Sequence, residues 1–234
     1  METELPTIAI LPVPFSPEHI LIALAVLIPV LVIFNLLLIT EGAFESIGLR
    51  FHQAMLVTAG ALLGSLIDIP LVPMGEAVIA VNIGGAVIPL FVTAAMVAGG
   101  RVSRYKILVA VAVVSLVAYV FATPVPGLGI TMPFYIAPLA GATAGLLLAG
   151  GCRTAPGLAY AGGTMGTLLG ADILNLANPG VLAALTGGRA TALSIGGAGI
   201  FDGIFVTGVL SVLLAVYAGR GLREKRGIYL EEKE

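Results

Sequence analysis

Long, unbroken apolar runs dominate the chain. Seven of them lie near Ile20–Leu38, Gln53–Leu71, Val78–Ala98, Lys106–Thr123, Phe134–Gly150, Leu158–Leu176 and Ala192–Ala218. Each approaches the roughly 20 residues that a helix needs to cross a hydrocarbon core of about 30 Å. The pattern predicts an all-α polytopic bundle of about seven transmembrane spans. Strands are not expected, because barrel strands alternate apolar and polar residues over about ten positions. The Gly and Pro residues inside the runs are tolerated in lipid, where neighbouring helices re-satisfy freed backbone groups. Residues 1–18 hold Pro6, Pro12, Pro14 and Pro17 and read as an irregular outer arm. No Lys or Arg precedes residue 50, so the first run is a poor secretory signal and reads as a retained helix. The stretch 177–188 is apolar, contains Pro179, and is a candidate re-entrant segment.

Composition agrees with a membrane setting. Apolar residues make up 59% and charged residues 10%, with a mean hydropathy of +1.10; a soluble domain carries about 25% charge. That excludes a cytosolic enzyme and a secreted disulfide scaffold. The net charge of −2 excludes a nucleic-acid surface. The lone Cys152 forms no internal disulfide. Placing the N-terminus outside puts Arg50, then Arg101, Arg104 and Lys106, then Arg153, and finally Arg220, Arg223, Lys225, Arg226 and Lys233 inside, leaving only Arg189 outside. This asymmetry predicts N-out, C-in and suits a bacterial or archaeal plasma (inner) membrane. The mixed basic and acidic tail, residues 220–234, is then cytoplasmic.

Two motifs recur in the same order. Ala59-Gly60-Ala61-Leu62-Leu63-Gly64-Ser65-Leu66-Ile67 parallels Ala161-Gly162-Gly163-Thr164-Met165-Gly166-Thr167-Leu168-Leu169, and each is followed by an Asp-Ile pair, Asp68-Ile69 and Asp172-Ile173. Asn82-Ile83-Gly84-Gly85-Ala86-Val87-Ile88 parallels Ser194-Ile195-Gly196-Gly197-Ala198-Gly199-Ile200, and both lead to Phe-Val-Thr, at 91–93 and 205–207. The expected layout is a single transmembrane domain, 19–219, with repeat 1 near 19–100, a linker helix near 106–123 and repeat 2 near 131–219. This 3+1+3 arrangement keeps both halves in the same orientation, as in parallel-repeat transporters. Glycines four apart read first as helix-packing positions. The adjacent pairs Gly84-Gly85 and Gly196-Gly197 read instead as broken-helix markers whose amides face a site.

Three aspartates lie inside apolar runs: Asp68, Asp172 and Asp202. A carboxylate in lipid is expensive, and no Lys or Arg lies in the interior of any run to pair with it. Each must be protonated, wet, bonded to backbone amides, or share a proton with another. The chain shows no His/Cys/Glu cluster with metal-ligand spacing, so no metal or cofactor is expected.

The run Ser194-Ile195-Gly196-Gly197-Ala198-Gly199-Ile200-Phe201-Asp202-Gly203-Ile204-Phe205, with Gly166–Asp172 before it, resembles a prokaryotic membrane family known as domain of unknown function 1614. The resemblance covers mainly 130–218 and implies a polytopic membrane protein without an established activity. Gly199-Ile200-Phe201-Asp202 resembles more weakly the GxGD intramembrane aspartyl proteases, which carry one aspartate in each of two successive spans. Phe201 stands where that motif has its second glycine, Ala171 precedes Asp172 in place of an aromatic residue, and the Pro-Ala-Leu signature is absent.

Three readings follow. In an intramembrane aspartyl protease, Asp172 and Asp202 would be the catalytic dyad acting on a membrane-embedded peptide. In a small-solute or proton/cation-coupled transporter, the path would run by Asp68, Gly84, Gly85, Gly196, Gly197 and Gly199, with one aspartate as the coupling group. In a structural or accessory protein, the aspartates would only satisfy helix breaks. The lipid bilayer is a partner in all three.

Overall fold

The computed structural model describes residues 17–74, 77–151, 153–186, 191–197 and 203–231. The chain divides into two compact units, Met1–Leu38 and Ile39–Glu234. The described part of the first unit is the beginning of helix α1 (Pro17–Ser46), an almost wholly apolar surface that is exposed nearly throughout. Its one amide side chain is satisfied internally, Asn35 Nδ2 donating to Leu31 O at 2.8 Å, as a lipid-facing helix requires.

The second unit is mostly helical. After the end of α1 come α2 (Phe51–Gly64), α3 (Ile88–Ala98), α4 (Arg104–Phe121), α5 (Ile136–Leu148), α6 (Ala155–Thr167), the short α7 (Leu174–Leu176), α8 (Pro179–Thr186) and α9 (Gly203–Glu231). A π-helical segment, Ile83–Val87, precedes α3, and a second, Leu168–Ile173, extends α6. Three helical stretches are long and apolar enough to cross a membrane: Glu18–Ser46, Arg104–Phe121 and Gly203–Gly221. A fourth arises if Ala155–Leu176 and Pro179–Thr186, bent by 82° at their break, form one span.

The expectation of an all-helical bundle needs correction. The second apolar run changes from helix to strand, and the third and seventh begin as strand before turning helical. β1 (Asp68–Met74) pairs antiparallel with β2 (Ala77–Asn82), and β2 pairs parallel with β5 (Thr191–Ile195), giving the order β1-β2-β5. β3 (Thr123–Val125) and β4 (Gly129–Thr131) form a separate hairpin. The cause is local. Pro70 and Pro73 forbid helix in β1, the bulge between Pro70 and Val72 takes up an unpaired residue, and β2 is Ala-Val-Ile-Ala-Val-Asn, rich in β-branched residues. As a result α2 is only 14 residues; α5 has only 13, and each is about 20 Å long. The glycine pairs therefore mark strand-to-helix junctions rather than breaks within continuous helices.

Small residues bring α4, α5, α6 and α9 together. A Cβ built on Gly141 would stand 2.9 Å from Gly163 Cα, and one on Gly166 would stand 2.6 Å from Val114 Cβ. Phe44, Tyr160 and Phe205 form an aromatic cluster with ring centroids 5.8 and 5.9 Å from Phe44.

The second unit has two distinct ends. At one end Arg101 Nη1 donates to Ile47 O at 3.4 Å, Gly157 faces Val102, Gly150 faces Lys106, and Arg220 lies beside Glu45 and Ser46. All the Lys and Arg side chains described, Arg50, Arg101, Arg104, Lys106, Arg153 and Arg220, gather there. The strands and α8 occupy the opposite end.

Candidate functional site: two carboxylates at a strand end

The strand end of the second unit carries a polar cluster built by both halves of the sequence. Asn82, the last residue of β2, is only 2% exposed. Its Nδ2 donates to Ser65 O at 2.8 Å and to Asp68 Oδ1 at 3.0 Å, while its Oδ1 accepts from Gly85 N at 3.0 Å. Asn82 thus caps the first π segment and holds the start of β1. From the other half, Ser194 Oγ donates to the same Asp68 Oδ1 at 2.5 Å. Two residues further on, Gly196 N donates to Asp172 Oδ2 at 2.7 Å. β5 therefore ends between two carboxylates, one engaged through a side chain and one through the backbone.

Gly196 is required at this point. Its φ is +80°, and a Cβ there would lie 2.8 Å from Ala86 N and 2.9 Å from Gly85 C. The close approach of the two glycine pairs lets the Gly196 amide reach Asp172.

Asp68, Asp172, Ser194, Gly196 and Gly197 all line one cavity of about 660 Å³. Its remaining wall comes from residues 127–132 of the hairpin region, from Leu176 and Leu185, and from the beginning of α9 at Gly203–Thr207. Thr167 lines it too, with its hydroxyl bonded back to Gly163 O at 2.6 Å. No Lys, Arg or His is among its described lining residues. No group of three metal-ligating side chains occurs among the described residues. The donors that reach the carboxylates are neutral: an amide side chain, a hydroxyl and a backbone N–H.

The sequence-predicted residues distribute as follows. Asp68, Asp172, Gly196 and Gly197 come together at the cavity. Gly84 and Gly85 are buried behind it, with Gly84 against the Ala61 carbonyl of α2. Gly199 and Asp202 lie outside the described residues; the neighbouring Gly203 lines the cavity. Asn82, Ser194, Thr167 and Thr207 were not singled out as site residues. The signal for the first two was present in the recurring sequence motifs, which align Asn82 with Ser194, and both bond Asp68.

The family model described as Protein of unknown function (DUF1614) matches residues 49–214. The chain belongs to this family. The match takes in both copies of the recurring sequence motifs, and so extends well beyond the C-terminal region that carries the resemblance in the sequence. Asp68, Asn82, Asp172, Ser194 and the two glycine pairs all fall inside it, whereas all of α1 and the end of α9 fall outside. No curated protein and no solved structure matches the chain.

Proposed function

We propose that the protein is a seven-span membrane protein that moves a small solute across a prokaryotic plasma membrane, with the carboxylate-lined cavity as its outward-facing site. One observation carries this reading: Asp68 and Asp172, which the recurring motifs align, line the same cavity. The equivalent strands β2 and β5 pair side by side and parallel, as a pseudo-twofold axis along the membrane normal would arrange them. The gathering of basic residues at the other end supports placing that end in the cytoplasm, with N-out and C-in. The short helix α2 then spans with the help of β1, which follows it. The bend at α8 suits a re-entrant segment that turns Leu185 to the cavity. One of the two carboxylates serves as a proton-coupled group.

The test is alternating access. In a Cys152→Ser background, Leu210→Cys places a thiol on the cavity wall. A membrane-impermeant thiol reagent should label it from the outer face, and from the inner face after the pH gradient is reversed. Labelling from one face under every condition would refute transport.

A second reading retains the intramembrane aspartyl protease. Asp172 and Gly203, the residue after Asp202, line one cavity, which is compatible with a dyad at the junction of α6 and α9. It requires that Asp172→Asn and Asp202→Asn each abolish cleavage of a helical membrane peptide while the labelling of Leu210→Cys stays one-sided.

A further inference from the structure

The solute class can be read from the cavity, on the assumption that the cavity is a solute site. At about 660 Å³ it is far larger than a bare ion needs, since a water claims only about 30 Å³ in the liquid. Its lining is of two kinds. Leu128, Leu185, Leu193 and Leu210 give apolar surface, and Asp68 and Asp172 give charge.

Each carboxylate is half used. Asp68 Oδ1 takes both the Asn82 and the Ser194 donors, and Asp172 Oδ2 takes the Gly196 amide. Asp68 Oδ2 and Asp172 Oδ1 receive no donor among the described residues. The anchors Ser194 and Gly196 are two residues apart, at most about 7 Å, so both carboxylates are drawn to one strand end. No cationic side chain among the described lining residues offsets them.

Thr207 is an independent sign of a missing ligand. It lines the cavity and is only 6% exposed. Its methyl Cγ2 faces Gly163 of α6, and its hydroxyl has no hydrogen-bond partner among the described residues. That hydroxyl stays open to the cavity and can bond a polar group there.

We infer that the cavity binds a small primary ammonium carrying an apolar body. The ammonium has three N–H donors and no acceptor. They match Asp68 Oδ2, Asp172 Oδ1 and Thr207 Oγ1, while the alkyl body lies against the leucines. A quaternary ammonium lacks the donors, and an inorganic cation leaves the apolar wall unused.

The test uses the full chain in lipid nanodiscs, n-butylammonium as probe, and isothermal titration calorimetry corrected with empty nanodiscs. Saturable binding at one site is expected, with none for butan-1-ol or butyrate. Asp68→Asn and Asp172→Asn should each weaken it at least tenfold. Thr207→Val should weaken it severalfold and leave the melting temperature unchanged or higher, because the hydroxyl it removes has no partner. That variant keeps the test open if the aspartate variants fail to fold. Equal binding of butan-1-ol, displacement by an equal concentration of sodium, or wild-type binding in Thr207→Val would each overturn the inference. Two-sided labelling of Leu210→Cys without butylammonium binding would overturn the ammonium class and leave transport standing. Butylammonium binding with one-sided labelling would do the reverse.

Discussion

Gly145→Ala and Gly42→Ala are the same chemical change, and the structure assigns them opposite signs. Both sites lie in the interior of a helix, α5 and α1 respectively. In each, replacing glycine with alanine removes unfolded-state freedom and favours the helix by up to about 1 kcal/mol. At Gly42 the new methyl meets nothing within 4 Å, so the gain is kept. At Gly145 it would stand 2.7 Å from Ala155 O, Ala159 N and Ala159 Cβ together. Two of those atoms are backbone and cannot swing aside. An ordinary carbon contact needs about 3.5 Å, so α5 must retreat from α6 by nearly 1 Å. That retreat would also loosen the seat of Gly141 against Gly163. Overpacking of this kind costs about 1–3 kcal/mol, which outweighs the propensity gain and leaves about 1–2 kcal/mol of net loss. For a chain of this size that lowers the melting temperature by about 2–8 °C, against a small rise for Gly42→Ala. Thermal unfolding of both variants in one detergent, followed by far-ultraviolet circular dichroism, reads the difference directly. If Gly145→Ala melts at or above the wild type, the α5–α6 approach described above is wrong.

Other substitutions probe the polar cluster and its surroundings. Asn82→Ala removes three hydrogen bonds at once and leaves the Gly85 amide buried, so a loss of about 2–4 kcal/mol is expected; hydrogen exchange at Gly85 should rise with it. Ser211 is fully buried, and its hydroxyl has no partner among the described residues. Ser211→Ala should therefore leave the melting temperature unchanged or raised, and a fall of several degrees would contradict that environment. Gly196→Ala combines a left-handed φ with a clash against Ala86. It should displace the end of β5, seen as faster exchange across residues 191–197, even if the helices keep their circular dichroism.

The sequence was informative about helices that are long and poor about segments that are short. The runs around Ile20–Leu38 and Lys106–Thr123 became α1 and α4; α1 stays helical through its single Pro29, as a span tolerates. The run Gln53–Leu71 joined α2 to β1, since apolarity alone does not distinguish a buried strand from a helix. Pro70 and Pro73 were the available signal, and it is diluted where proline is also tolerated in spans. The same holds for Ala77–Asn82, whose β-branched residues read equally well as lipid-facing. The aspartates were legible as costly residues needing partners. Their partners were not, because Asp68 and Ser194 are 126 residues apart, and only the repeat hinted that the two stretches correspond. Thr207 was hidden for another reason: a threonine in a span ordinarily bonds its own helix, and its lack of a partner exists only in the folded chain.

The parallel pairing of β2 with β5 has a consequence for how the protein is made. Thr191 lies 114 residues after Ala77, its neighbour in the sheet. At about 5–20 residues per second of synthesis, the edge of β2 that will receive β5 waits roughly 6–20 s after it leaves the ribosome. Throughout that wait its N–H and C=O groups have no partner, a condition that lipid penalises heavily. The nascent first half must therefore keep this edge in water, or under the cover of the insertion machinery, until the final span arrives. A chain terminated before Thr191 would be left with that edge open and should be recognised and degraded by membrane quality control.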